Sequence, residues 1–120
     1  MRSAALGVQE ELMADSTDLI QGTLDMLILK SLSLEAMHGF GVTKRIEQIS
    51  KGVFRVNPGS LLLAFQRMER NGLIGAEWRA SENNRRAKYY HLTKKGRKRL
   101  EVETTEWRQR VAAIARLLEA

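Results

Sequence analysis

The chain has 120 residues, of which 43% are hydrophobic and 28% are charged, values typical of one globular domain. It contains no cysteine, which excludes disulfide scaffolds, thiolate metal sites and cysteine nucleophiles. Met26–Leu29 and Leu61–Phe65 are two uninterrupted apolar runs of the sequence, and no run exceeds five residues. Both are far shorter than the ~20 residues of a membrane span, so we expect a cytoplasmic protein with no membrane partner.

Positive charge is concentrated in the middle of the chain. The sequence carries 20 Lys and Arg against 14 Asp and Glu, a net charge of +6. Residues 41–100 alone carry fifteen basic and four acidic side chains, whereas residues 1–40 have a net charge of −4. Such a block attracts polyanions, of which nucleic acid is the commonest. An acidic membrane surface, or a solvated basic face without a partner, is the alternative.

The N-terminal third of the chain predicts two helices after a less regular segment. Residues 1–18 show only a weak apolar pattern, which indicates an arm or a short extra helix. Residues 22–35 predict a first helix, because apolar side chains recur at helical spacing: Leu24, Leu27, Ile28 and Leu32. A turn at His38–Gly41 then leads to a second, short helix whose apolar face contains Val42, Ile46 and Ile49.

A third helix has the clearest boundaries in the sequence. Asn57 can accept hydrogen bonds from the first turn, Pro58 suits the first helical position, and Gly72 marks the end. A helical wheel gives a buried face of Leu61, Ala64, Phe65 and Met68. The opposite face carries Gly59, Leu63, Gln66, Arg67 and Arg70, with Leu62 and Glu69 on its flank.

The segments around this helix predict strands and a last helix. Residues 52–56 indicate a very short strand or an extended link, and residues 73–79 and 88–92 alternate as the strands of a hairpin. The hairpin loop, residues 80–87, carries Arg85 and Arg86 at its tip. Thr93 then caps a helix that continues to about Leu118, with a cationic first turn that opposes the helix dipole.

This order of elements is typical of a winged helix-turn-helix domain. We therefore predict an α+β, mostly α fold. Residues 1–18 form the arm or extra helix, residues 19–93 form the winged helix-turn-helix DNA-binding domain, and residues 94–120 form a long C-terminal dimerisation helix.

The predicted domain type indicates double-stranded DNA as the partner. The third helix would enter the major groove, the loop arginines would reach an adjacent minor groove, and Lys94 and Lys95 would join other cations on phosphates. An ordinary amphipathic surface helix and a solvated loop are the alternatives. The predicted DNA-binding residues are Lys44, Arg45, Gly59, Ser60, Leu62, Leu63, Gln66, Arg67, Arg70, Asn83, Asn84, Arg85, Arg86 and Lys88.

Catalytic chemistry finds little support in the sequence. The two histidines, His38 and His91, lie on different predicted elements, and neither has a carboxylate partner at ligand spacing. The Gly39-Phe40-Gly41 segment lacks the further glycine and the preceding strand of a phosphate-binding loop. We expect no enzyme, no metal site and no cofactor.

The last helix carries a pattern of its own. Apolar or small side chains recur at alternating spacings of four and three residues, the seam of a coiled coil: Leu100, Thr104, Trp107, Val111, Ile114 and Leu118. This seam could dock on the first helix of the same chain. Pairing with a second copy would bury it equally well and would predict a homodimer on a palindromic operator.

Several motifs resemble the PadR family of bacterial winged helix-turn-helix transcriptional regulators, in its short subfamily with a single C-terminal helix. They are Gly22-Thr23-Leu24-Asp25, His38-Gly39-Phe40-Gly41, Pro58-Gly59-Ser60-Leu61, residues 68–74, residues 82–90 and Leu92-Thr93-Lys94-Lys95-Gly96. The resemblance covers about residues 19–118. It implies a homodimeric repressor of adjacent genes, released in some members by a small aromatic effector held near the dimer helices.

The third helix departs from the family pattern. Ser60-Leu61 is usually followed by Tyr and Pro, whereas this chain has Leu62 and Leu63. Leucines cannot donate hydrogen bonds to phosphates, but they can contact thymine methyl groups. We therefore expect an altered or weakened operator preference.

Three hypotheses follow from the sequence. The first is a dimeric transcriptional repressor. The second is a winged-helix protein-interaction adaptor with weakened DNA readout, whose binding would respond little to salt. The third is an RNA-binding module, which the lack of an exposed aromatic series makes the weakest of the three.

Overall fold

The computed structural model describes residues 22–120. In chain order its elements are α1 (described over residues 22–34), β1 (Met37–His38), α2 (Gly39–Ile49), α3 (Pro58–Arg70), β2 (Ile74–Ala80), β3 (Arg86–Leu92) and α4 (Lys94–Glu119). The described elements confirm the predicted α+β, mostly α winged-helix fold with a long C-terminal helix. The predictions for residues 1–18, and for the start of the domain at residue 19, lie outside the described residues.

One hydrophobic core joins the first three helices to the sheet. The buried face of α3 is the one that helical spacing predicts, and those of α1 and α2 match the prediction in part. The sheet and Leu73, which precedes β2, add further side chains. Burial of each Val, Leu, Ile, Phe or Met side chain of this core stabilises the fold by about 1.5–3 kcal/mol relative to exposure. The buried hydrophobic residues are Leu24, Ile28, Leu29, Leu32, Met37, Val42, Ile46, Leu61, Ala64, Phe65, Met68, Leu73, Ile74 and Tyr90.

The sheet is antiparallel, in the order β1-β3-β2. In the hairpin, Ile74 is opposite Leu92 and Ala80 is opposite Arg86. The two-residue strand β1 pairs Met37 with Tyr90 at the other edge of β3. The sequence did not predict β1, because two residues are too few for an alternating pattern.

Local capping fixes where α3 and α4 begin. The Asn57 side chain accepts hydrogen bonds from the Gly59 and Ser60 N–H groups at 2.8 and 3.2 Å, as predicted. Gly72, at φ +73°, takes the left-handed conformation that ends α3. The Thr93 hydroxyl accepts from the Gly96 N–H at 3.0 Å and so caps α4. The hairpin therefore lies between two helices whose boundaries the sequence specifies.

The predictions around α2 were partly wrong. Gly39–Gly41 are the first residues of α2 rather than a separate turn, because the His38 side chain accepts a hydrogen bond from the Gly41 N–H at 3.0 Å and caps the helix. Ile49 was expected on the apolar face, but it lies at the last position of α2 and is 69% exposed. For residues 52–56 the prediction left a short strand or a link open, and the structure has the link.

The hairpin loop is shorter than expected. Arg86 was expected at the loop tip with Arg85, but it is the first residue of β3 and is paired with Ala80 of β2. The loop is therefore residues 81–85, closed by a 2.7 Å hydrogen bond from the Ser81 N–H to the Arg85 carbonyl oxygen. Asn84 has a positive φ of 58°, which asparagine tolerates better than most residues.

Candidate nucleic-acid interface

The solvent-facing side of α3 is the centre of the predicted interface. Gly59, Leu63, Gln66 and Arg70 are exposed and follow one another at helical spacing, and we call these four residues the outward row. Leu62 is exposed beside the row, and Ser60 is half-buried. The buried face of α3 packs into the hydrophobic core. This packing fixes the orientation of the outward row relative to the rest of the domain.

Arg67 was predicted to contact DNA from α3, and its side chain bonds within the fold. Its Nη2 donates to both carboxylate oxygens of Asp25 on α1 at 2.5 Å. Burial raises the pKa of the Asp25 carboxyl above its usual range, and the guanidinium opposes that rise. Contact of Arg67 with DNA stays a prediction.

Two more of the predicted cations form ion pairs. Lys88 Nζ on β3 is 3.0 Å from Glu69 Oε1 on α3, and this hydrogen bond raises the pKa of the lysine. Arg45 on α2 is 2.6 Å from Glu35 Oε1. Both pairs are at least partly solvated, and such pairs contribute little stability, about 0–1 kcal/mol. The cations remain available to exchange their partners for phosphate.

The other predicted cations are free of ion pairs within residues 22–120. Lys44 on α2, Arg70 on α3, Arg85 in the loop and Lys94 on α4 are all exposed. Lys95 Nζ donates instead to the Asn71 carbonyl oxygen at 2.8 Å and ties α4 to the end of α3. Four separate elements thus present cations on the surface.

A wide groove of about 1250 Å³ lies between α2, the start of α3 and the hairpin. It brings together many of the predicted DNA-binding residues from three elements: Lys44, Arg45, Leu62, Asn83, Arg85, Arg86 and Lys88. Gly59, Ser60, Leu63, Gln66, Arg67, Asn84 and Arg70 do not line it. Four of these form the outward row of α3, which meets the groove at Leu62, whereas Ser60, Arg67 and Asn84 belong to neither surface.

The hairpin contains aromatic contacts that the sequence did not indicate. Arg86 lies 5.7 Å from the ring centroid of Trp78, and Arg79 lies 4.1 Å from that of Tyr89. Trp78 follows the buried Ile74 at the even spacing of one strand face, but the hairpin extends beyond the core and leaves Trp78 58% exposed. Phe40 is exposed in the groove. Only the fold could reveal these neighbours, since they come from different elements.

Comparison with known proteins identifies the family. The model of the transcriptional regulator PadR-like family matches residues 28–102, from α1 into α4. The chain belongs to the PadR-like family.

Solved structures agree with this assignment. A PadR family transcription regulator from Clostridium difficile is 30% identical, with a TM-score of 0.69, covering 78% of this chain and 96% of that one. A PadR-like transcriptional regulator from Bacillus cereus is 27% identical, with a TM-score of 0.75, covering 86% and 98%. A relative compared by sequence alone, an uncharacterised protein of Lysinibacillus sphaericus, is 28% identical over 76% of this chain and 84% of its own length.

The PadR-like chain exposes an apolar stripe on α4. Of the predicted seam, Leu100 packs against the core and Thr104 is half-buried. The rest of the seam is exposed: Trp107, Val111, Ile114 and Leu118, the last of these by 80%. The domain core therefore covers only the first part of the seam.

An acidic pair lies where α1, α3 and α4 of the PadR-like domain approach one another. Burial raises the pKa of the Glu103 carboxyl on α4, and the nearby Asp25 charge raises it further, against the effect of Arg99. Glu103 Oε2 is buried and accepts no hydrogen bond from the described residues. The Glu103 carboxyl on α4 thus lies close enough to Asp25 on α1 for a negative charge on one to disfavour a negative charge on the other.

Within residues 22–120, no helix has both the length and the apolar character needed to cross a membrane. Within the same range, no group of three or more His, Asp or Glu side chains is arranged to hold a metal ion.

Proposed function

We propose that this PadR-like protein is a cytoplasmic, homodimeric repressor that binds double-stranded DNA in a sequence-specific manner and controls adjacent genes, with no enzymatic activity. The observation that carries the proposal is the arrangement around α3 of exposed cations that form no ion pair with any residue of the described range, 22–120. Lys44, Arg70 and Arg85 come from α2, α3 and the hairpin loop. Cations on separate elements can contact phosphates on both sides of a groove while α3 contacts base edges.

The dimer part of the proposal rests on α4. Its exposed stripe, from Trp107 to Leu118, has the four-and-three spacing of a coiled-coil seam. A second copy of the chain would bury this stripe and place two α3 helices on one duplex, which predicts a palindromic operator. The proposal includes a small aromatic effector that binds beside the paired α4 helices. There Trp107 of the single chain is 44% exposed, and its ring is available for stacking.

An adaptor that binds proteins is the second candidate, and exposed apolar side chains favour it. Phe40, Leu62 and Leu63 are exposed to solvent on the surface that carries the cations. Salt separates the two candidates, because phosphate contacts release counterions and weaken steeply with ionic strength. Apolar protein contacts lack this dependence.

Duplex fragments selected from the source genome, measured by fluorescence anisotropy over a range of salt, test the DNA proposal. We expect Arg70→Glu and Arg85→Glu each to weaken binding, and loss of one phosphate contact to reduce the salt slope by about 1. Arg116→Glu is the matched control, since it makes the same charge change on the far end of α4, away from the seam.

Each other result has a defined meaning. Equal weakening by all three variants would indicate a general charge effect rather than the proposed surface. Binding that ignores salt would support the adaptor, and preference for a competing RNA over the duplex would support RNA binding. In cells, deletion of the gene should raise expression of adjacent genes, as repression requires.

A further inference from the structure

The outward row of α3 offers no polar side chain in the first two turns of the helix. Gly59 has no side chain, and the next residue of the row is Leu63, which is 59% exposed. Leu62 lies beside it and is 53% exposed. A helix that enters a groove with its N-terminal end first would therefore present leucine side chains closest to the bases.

Three polar side chains near these leucines already have partners, and a fourth, Ser60, is half-buried. The Asn57 side chain is occupied in capping the helix. Glu69 is bonded to Lys88, and Arg67 is bonded to Asp25. Gln66 and Arg70 are exposed without such partners among the described residues, but they stand one and two turns further along the row.

In the major groove only thymine presents an apolar group, its C5 methyl, on the base edge. An exposed leucine gains free energy on binding mainly by removing apolar surface from water. The absence of a Gly59 side chain leaves room for the backbone to approach the duplex beside Leu63.

From this geometry we propose that Leu63, with Leu62 beside it, selects operator sequences by contacting thymine methyl groups in the major groove. The proposal rests on the DNA-binding function proposed above and adds the chemical feature that is recognised. It assigns Gln66 and Arg70 to hydrogen bonds with bases or phosphates further along the site.

Replacement of single thymines by deoxyuridine tests this, because it removes only the methyl group. Operator duplexes would first be selected with the wild-type chain, and each thymine would then be replaced in turn. We expect wild-type affinity to fall about fourfold at each contacted methyl. The same replacement should not weaken the Leu63→Ala variant, or Leu62→Ala for a methyl next to Leu62, because the leucine partner has already been removed.

Alanine keeps helix propensity at these exposed positions, so both variants should fold, and circular dichroism would verify this. Val102→Ala is the matched control: it trims an exposed apolar side chain of α4 and should retain the full sensitivity to deoxyuridine.

Three results would overturn the proposal in different ways. Equal wild-type affinity for thymine and deoxyuridine duplexes, with a normal salt slope, would reject methyl recognition and leave DNA binding intact. Equal sensitivity in the wild type and both leucine variants would assign the methyl contact to other residues. Failure to bind any selected duplex would reject the DNA function itself, and methyl recognition with it.

Discussion

Arg67 on α3 holds Asp25 on α1 through a single guanidinium nitrogen that lies 2.5 Å from both carboxylate oxygens. The two residues are 42 positions apart in the chain, so the pair fixes the helix of the outward row against the first helix of the domain. The carboxyl is partly buried, which raises its pKa despite the adjacent positive charge. Its charge therefore depends on Arg67 for compensation.

Replacement of Arg67 by methionine should destabilise the domain more than Asp25→Asn does. Loss of the guanidinium leaves a partly buried carboxylate without its partner, at a cost of about 1–3 kcal/mol. The folded-state pKa of Asp25 is already raised, and removal of Arg67 should raise it further. A raised pKa means that the native state binds the proton more tightly than the unfolded state does. The free energy of unfolding therefore falls as the pH rises from the unfolded-state pKa of Asp25 through its folded-state pKa.

Urea denaturation at several pH values measures this effect. The difference between Arg67→Met and wild type should be largest near pH 7 and should shrink in acid, where the carboxyl is protonated. The double variant Asp25→Asn/Arg67→Met is the control and should recover part of the loss. A penalty that does not change with pH would contradict the electrostatic explanation and indicate lost packing instead.

Signals that lie within a few residues of each other predicted the fold well. Asn57, Pro58 and Gly72 set the ends of α3 because caps and turns act locally. The strand β1 was missed, since it exists only by pairing with β3. Arg67 illustrates the same limit at the site: a helical wheel places it near the outward face, but only the three-dimensional structure shows that Asp25 lies within reach.

Gly96 allows the first turn of α4 to lie directly against Leu73. A Cβ atom at position 96 would overlap the Leu73 carbonyl oxygen and lie 2.7 Å from Leu92 Cδ1. We expect Gly96→Ala to destabilise the domain by about 1–3 kcal/mol, because the backbone of Leu73 cannot easily give way. Equilibrium unfolding in urea would measure the change.

Gly75→Ala provides the matched control for that substitution. Its Cβ atom would lie 2.5 Å from the His91 ring, but His91 is exposed and its side chain can rotate away. The loss of stability should therefore be clearly smaller than for Gly96→Ala. Equal stability of the two variants would show that α4 can shift away from Leu73 without cost, so that Gly96 is not needed for close packing.

The exposed seam of α4 leads to a prediction about assembly. Val111→Glu/Ile114→Glu places two charges in the middle of the stripe, where a coiled-coil interface would have to desolvate them. We expect the wild type to sediment as a dimer and this variant as single chains. Helical content should change little, because neither side chain belongs to the domain core.

Val102→Glu separates loss of the interface from a general effect of added charge. Val102 is exposed on α4, and the four-and-three spacing places it on the side opposite the seam. This variant should remain dimeric and should bind selected duplexes as the wild type does, apart from a small electrostatic loss. A wild-type chain that sediments as a monomer at micromolar concentration would rule out α4 as the dimer interface, and two α3 helices would then not be presented together to one operator.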